Sequence, residues 1–210
     1  LERLYLGQVL PRFRTWTDQT RAALGKRAGN PPVFSLWESP VHGVGHYARV
    51  GCLALALHER RRELEGVREH RTIGGPMSPE TTEALLLAAF FHDSGRINEY
   101  RDPDHGRAGA RIFRAFAGRV VHAPVPAVRD VVSAAIIYHC GGGAGRPDAV
   151  ATAIANADRL DRIRFGDAPD PGQMCDDEGA WRSFAPFASG FVQLVSSTRV
   201  RKDVGPTPAS

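Results

Sequence analysis

Cysteine is scarce in this chain, long apolar runs are missing, and arginine stands almost everywhere that lysine could. The three cysteines, Cys52, Cys140 and Cys175, are irregularly placed. They offer neither a disulfide framework nor a CxxC zinc pattern, which suits a reducing, cytoplasmic setting. The longest apolar run, around residues 84–91, is far short of the roughly 18–20 residues that cross a bilayer. The opening stretch, LERLYLGQVL, lacks a basic start, an apolar core of the right length and a small-residue cleavage site, so no signal peptide is expected there. No strand-like alternation, internal repeat, helix-turn-helix pattern, zinc finger or aromatic-interleaved basic stripe is present. The net charge of +4 would favour phosphate-rich partners. Yet runs such as HERRRELEGVREH alternate acid and base as a solvated helix face does. Membranes and nucleic acids are therefore not expected as partners.

What remains is helical periodicity nearly everywhere, in a chain of 210 residues that can bury one proper core. The spacing predicts an all-α, single-domain bundle. Helices are expected over residues 2–25, 43–64, from Ser78-Pro79-Glu80 into His92-Asp93, over 104–116, from Pro124 and Pro126 to YHCGGGAG, from Pro147 through AVATAIANADRLDRIR, and over 177–196. The expected organisation is an N-terminal helix and loop (1–39), a core (40–166), a C-terminal loop and helix (167–197) and a flexible tail (198–210).

One stretch, FFHDSG at Phe90 to Gly95, sets a histidine beside an aspartate directly behind an apolar helix. Polar groups entering a core must be hydrogen-bonded, paired or metal-bound, since each left bare costs about 1–3 kcal/mol. The same situation recurs at His46, His105, His139 and Asp158, each near the end of a core-type helical segment. A single such residue is more often a cap or a hydrogen-bonded core group, the reading kept for His58, His70 and His122. The full set is harder to dismiss as separate accidents. Imidazole and carboxylate together suit Fe, Mn, Co, Ni or Zn and poorly suit Ca.

The order His46, His92-Asp93, Asp158 resembles the HD-domain metal-dependent phosphohydrolase superfamily, an all-helical fold. The motifs HDSGR, DHGRAGA with His105, AIIYHCGG with His139 and NADRLDR with Asp158 resemble its six-ligand, dinuclear branch. That branch includes diadenosine-tetraphosphate hydrolases, cyclic-dinucleotide phosphodiesterases and a few di-iron oxygenases; small bacterial HD proteins look closest. The resemblance covers residues 40–166. HDSGR lacks the acidic pair of the guanosine-tetraphosphate hydrolases, and no GYP follows the site. The resemblance implies one metal held by His46, His92, Asp93 and Asp158, and a second held by His105 and His139 with Asp93 bridging. One or two divalent transition-metal ions (Fe, Mn, Co, Ni or Zn) are the implied cofactors.

Spacing adds Arg96, three residues after Asp93, as a catalytic and phosphate-binding group beside Asp93. Arg162, four after Asp158, and His42, four before His46, are further substrate-binding candidates. The glycine run after His139 fits no phosphate-loop or dinucleotide pattern and reads as a helix stop, and Cys140 reads as core packing. The expected activity is hydrolysis of a phosphoester or phosphoanhydride in a nucleotide or other small phosphorylated metabolite. A mixed-valent di-iron oxygenase and a non-catalytic sensor domain are the alternatives. A homodimer is left open.

Overall fold

A computed structural model describes residues 1–24, 39, 41–68, 77–100, 102–120, 126–141, 147–175 and 179–203. The described residues contain helices and no strand, as the periodicity requires. The first helical run, α1, joins Glu2–Leu4, a π-helical turn at Tyr5–Val9, and Leu10–Leu24. It is followed by α2 (Val44–Arg68), α3 (Pro79–Phe91), α4 (His105–Val120), α5 (Pro126–Tyr138), α6 (Ala149–Asp161) and α7 (Ala180–Asp203). Short 3-10 turns lie at Arg162–Phe165 and Pro171–Gln173.

Helix α3 organises the bundle. The Ser78 side chain caps it by accepting from the Thr81 N–H at 3.2 Å, and Pro79 occupies the first turn, where its missing N–H costs nothing. Every residue from Ala84 to Phe91 is buried. A helix that is apolar on all faces belongs inside, and α2, α4, α5 and α6 all pack against it. From α1, Phe13 and Trp16 each meet Phe90 edge-on, with ring centroids 5.3 Å apart. Phe91 continues the aromatic layer to Phe113 of α4, 5.4 Å away. His92 and Asp93 are thereby carried into the interior rather than onto the surface.

Helix α2 divides in two. Its first half, from His46 to Leu57, is largely buried between α3 and α6. Its second half carries the ion pairs Arg60–Glu63 and Arg61–Glu65, and these support it out to Arg68, past the expected end at Leu64. Helix α6 is capped by Asp148, which accepts from the Ala151 N–H at 2.7 Å. Helix α7 runs to Asp203, so residues 198–203 are helical where a loose tail was expected. The strong breakers Gly205 and Pro206 come only after it. The turn at 29–32, Trp37, Pro40, His70, His122 and residues 142–146 lie outside the described residues. Among the described residues no helix is long and apolar enough to cross a membrane.

Candidate metal centre

The turn that follows α3 is tightly fixed. The His92 N–H still bonds to the Ala88 carbonyl at 2.8 Å, and the Ser94 hydroxyl donates to the Phe91 carbonyl at 2.7 Å. Gly95 then meets the first turns of α4 so closely that a Cβ would collide with the carbonyl of His105 and the nitrogen of Gly109. Gly106 does the same toward α5, where a Cβ would lie 2.5 Å from Cys140 Sγ and 2.7 Å from the Ile136 carbonyl. These two glycines allow the end of α3, the start of α4 and the end of α5 to converge. The motifs HDSGR and DHGRAGA contain them for this steric reason, which spacing alone did not reveal.

Around Asp93, which is almost wholly buried, four histidines gather in two pairs. On one side His46 Nε2 and His92 Nε2 stand 3.1 Å apart and lie 3.4 and 3.6 Å from Asp93 Oδ2. Asp158 joins them, with its Oδ1 at 3.3 Å from His46 and 3.7 Å from His92. On the other side His105 Nε2 and His139 Nε2 stand 2.9 Å apart and lie 3.2 and 3.5 Å from Asp93 Oδ1. All six residues singled out in the sequence thus meet at one place, each carboxylate oxygen of Asp93 facing its own histidine pair.

The other ring nitrogens decide what the cluster needs. His46 Nδ1 faces Asp161 Oδ2 at 2.7 Å, and His92 Nδ1 faces the Ala89 carbonyl at 2.8 Å. His139 Nδ1 faces the Ile136 carbonyl at 2.5 Å, and His105 Nδ1 faces the carbonyl of Asp102. Carbonyl and carboxylate oxygens only accept, so each Nδ1 must carry the hydrogen. The remaining nitrogen, Nε2, of each ring points inward, and without a second proton it is a bare lone pair. Four lone pairs and two carboxylates pointing at one another are stable only around positive charge, supplied by protons or by metal ions. The donor set fits divalent transition metals.

The HD domain family model matches residues 43–163. The chain belongs to the HD-domain family. Most of that family are metal-dependent hydrolases, and HD domains bind divalent metals. No curated protein and no solved structure gives a significant match to the chain. The family span includes all six gathered residues and stops before Arg164.

Sequence reasoning missed the support behind His46. Asp161 is completely buried and bound by three cationic or potentially cationic partners: His46, Arg49 (Nε at 2.6 Å from Oδ1) and Arg164. Arg164 also donates to the Val41 carbonyl at 2.7 Å, tying the chain before α2 to the site. A signal was available: Asp161 is one turn after Asp158, and Arg49 one turn after His46, so both follow their neighbours' helix faces inward.

The candidates proposed from spacing fare differently. His42, in the turn before α2 of this HD domain, donates Nδ1–H to Asp93 Oδ2 at 2.8 Å. Arg96 donates Nε–H to Asp93 Oδ1 at 2.8 Å and Nη1–H to the Tyr100 carbonyl at 3.0 Å. Both therefore stand at the site. Arg162 does not come to it: its side chain is 63% exposed and held by Asp167 at 2.7 Å. The helix tightens to a 3-10 turn at Arg162, which abolishes the four-residue register with Asp158. Cys140 is only partly buried, and its thiol lies with donor atoms of His105 and His139 within 4.8 Å of one another, so core packing is not its setting.

Burial opposes a proton on His46, yet hydrogen bonds to Asp158, Asp161 and Asp93 win and raise its pKa to about 10. Burial would raise Asp93 and Asp158, but the surrounding histidines hold both carboxylates well below their ordinary range. Asp161 is lowered against its own burial by Arg49 and His46. Burial, then the charge of Asp93, push the Tyr47 phenol well above its usual range, so it remains a donor.

Proposed function

We propose that this HD domain is a metal-dependent phosphohydrolase acting on a phosphoester or phosphoanhydride of a nucleotide or other small phosphorylated metabolite. The observation that carries this reading is the acceptor-only cluster: four Nε2 lone pairs and two carboxylates with every Nδ1 already committed. His46, His92, Asp158 and Asp93 Oδ2 would hold one ion, and His105, His139 and Asp93 Oδ1 a second. Ions bound there supply Lewis acidity toward a phosphoryl oxygen and lower the pKa of a water.

The chain's own groups supply the rest. Asp161 and the three carbonyls orient the imidazoles so that no lone pair has to be turned inward on binding. Asp93 spans both histidine pairs and sets their separation. Arg96, at the rim and 15% exposed, offers a forked cation to a phosphoryl oxygen while steadying Asp93. His42 lies beside His46, with ring centroids 5.6 Å apart, and steadies the same Asp93 oxygen, Oδ2, that the His46–His92 pair faces.

The test is metal content followed by a phosphate-release screen, on protein purified without chelator. About two transition-metal ions per chain and release that is indifferent to oxygen are the expected results. Turnover that requires both iron and oxygen would replace hydrolysis by the oxygenase alternative. Failure to take up any metal on reconstitution would leave a binding module.

A further inference from the structure

The four imidazoles paired around Asp93 are built alike. Each turns one nitrogen toward Asp93 and rests the other against an oxygen that only accepts. His42 has the same construction. Its Nδ1 lies 2.8 Å from Asp93 Oδ2, and its Nε2 lies 3.6 Å from Glu99 Oε2. That Glu99 oxygen is buried and accepts no hydrogen bond among the described residues. The other, Oε1, accepts from the Ser39 hydroxyl. Ser39 Oγ in turn accepts from the N–H groups of Val41 and His42 at 2.9 and 3.0 Å. One turn thus holds both the ring and the carboxylate behind it.

Neither tautomer of a neutral His42 ring suits this setting by itself. With the hydrogen on Nδ1, the Nε2 lone pair faces the Glu99 carboxylate. With the hydrogen on Nε2, Glu99 gains its missing donor, but the Nδ1 lone pair faces Asp93 Oδ2. The second arrangement becomes favourable once a cation stands beside Asp93 Oδ2, where His46, His92 and Asp158 already converge. One donor atom each of His42, His46 and Asp93 lie within 4.8 Å of one another. That is close to the widest spread, about 4.4 Å, that ligand bonds of about 2.2 Å to a shared ion allow.

We propose that His42 Nδ1 is a further ligand of the first metal ion, with Glu99 accepting from Nε2–H as Asp161 accepts from His46. His42, His46, His92, Asp93 and Asp158 then surround that ion with protein donors. Only His105, His139 and Asp93 do so for the second. Open positions for a substrate oxygen therefore lie on the His105–His139 side. This rests on the metal-centre reading and deepens it.

The experiment uses the full chain carrying His105→Ala, so that only the first half is filled, loaded with Co2+. X-ray absorption should count three imidazoles on the ion rather than two. Adding His42→Asn places an amide N–H where Nδ1 was, which keeps a donor for Asp93 but removes the ligand. One imidazole should disappear, the visible d–d absorption should strengthen as coordination falls, and Co2+ should bind at least about tenfold more weakly. Glu99→Ala should keep all three imidazoles and weaken Co2+ about 10- to 100-fold, as loss of a group behind a ligand does. Inorganic phosphate should alter the spectrum of the parent loaded with two Co2+ but not that of the singly loaded protein. Two imidazoles before His42 is changed, or a spectrum and affinity untouched by His42→Asn, would make His42 a hydrogen-bond donor alone. Either result overturns the inference and leaves the metal centre and the phosphohydrolase reading in place. Full affinity in Glu99→Ala would overturn the part given to Glu99, and a phosphate response in the singly loaded protein the placing of the open positions. No Co2+ uptake by the parent would remove the metal-centre reading, and the inference with it.

Discussion

His46 and His92 on one side of Asp93, and His105 and His139 on the other, present nitrogens at nearly the same separation, 3.1 and 2.9 Å. What stands behind the rings differs. The first pair faces two carboxylates, Asp93 and Asp158, and His46 is backed by the Asp161 anion with Arg49 and Arg164 around it. The second pair faces one carboxylate oxygen and is backed by main-chain carbonyls alone. More negative charge and a charged hydrogen-bond partner make the first half the tighter cation site, and they make its support part of the fold's electrostatics. The second half can be emptied without stranding a buried charge.

The largest effect should come from the residue that both halves share. Asp93→Asn removes the anion from each and leaves the Arg96 and His42 donors facing a neutral amide. Metal content should fall to none and phosphate release should vanish, while circular dichroism keeps its helical signal. Retained turnover would show that the chemistry lies elsewhere. Next comes Asp161→Asn, which still accepts from His46 but strands Arg49 and Arg164. Losing one partner of a buried pair costs about 3–5 kcal/mol, to be read in chemical denaturation, and affinity for the first metal should drop about 10- to 100-fold. Unchanged stability would mean that the two arginines find other partners.

His105→Ala separates the halves. Bound metal should fall from about two per chain to about one, with little loss of stability because no charge is stranded. Unaltered stoichiometry would make the centre mononuclear and His105 a capping residue. A pH series sharpens the same contrast. His46 has its folded pKa raised from 6.5 to about 10, so its contribution to the metal-free fold is complete below 6.5 and is lost as pH climbs through about 10. Metal must displace that proton. Affinity at the first site should therefore rise with pH across this window, and the gap in melting temperature between loaded and metal-free protein should widen. Calorimetry in buffers of different ionisation enthalpy should register the released proton; none released would mean His46 is already neutral.

Much of this site is legible in the sequence, because its residues break an otherwise regular pattern. Six polar groups at the ends of apolar segments stand out against the periodicity that makes those segments helical. The helix order followed from caps and breakers such as Ser78-Pro79 and Pro147. Less visible was anything that depends on contact between distant elements. Gly95 and Gly106 look like ordinary glycines until α3, α4 and α5 are packed together. Arg164 looks like a surface charge in the run NADRLDRIRF, because the 3-10 turn that carries it inward breaks the helical spacing.

That run also holds the smallest expected effect. Arg162 and Arg164 are two residues apart, and the 3-10 turn sends them to opposite settings: Arg164 is 7% exposed against Asp161, Arg162 63% exposed against Asp167. An exposed pair of this kind contributes about 0–1 kcal/mol. Arg162→Ala should therefore leave metal content unchanged and shift phosphate release by less than about twofold, within the range of ordinary surface changes. A loss of tenfold or more, with metal still bound, would show that Arg162 leaves Asp167 to reach the substrate. The helical spacing from Asp158 would then describe the working state better than the 3-10 turn does.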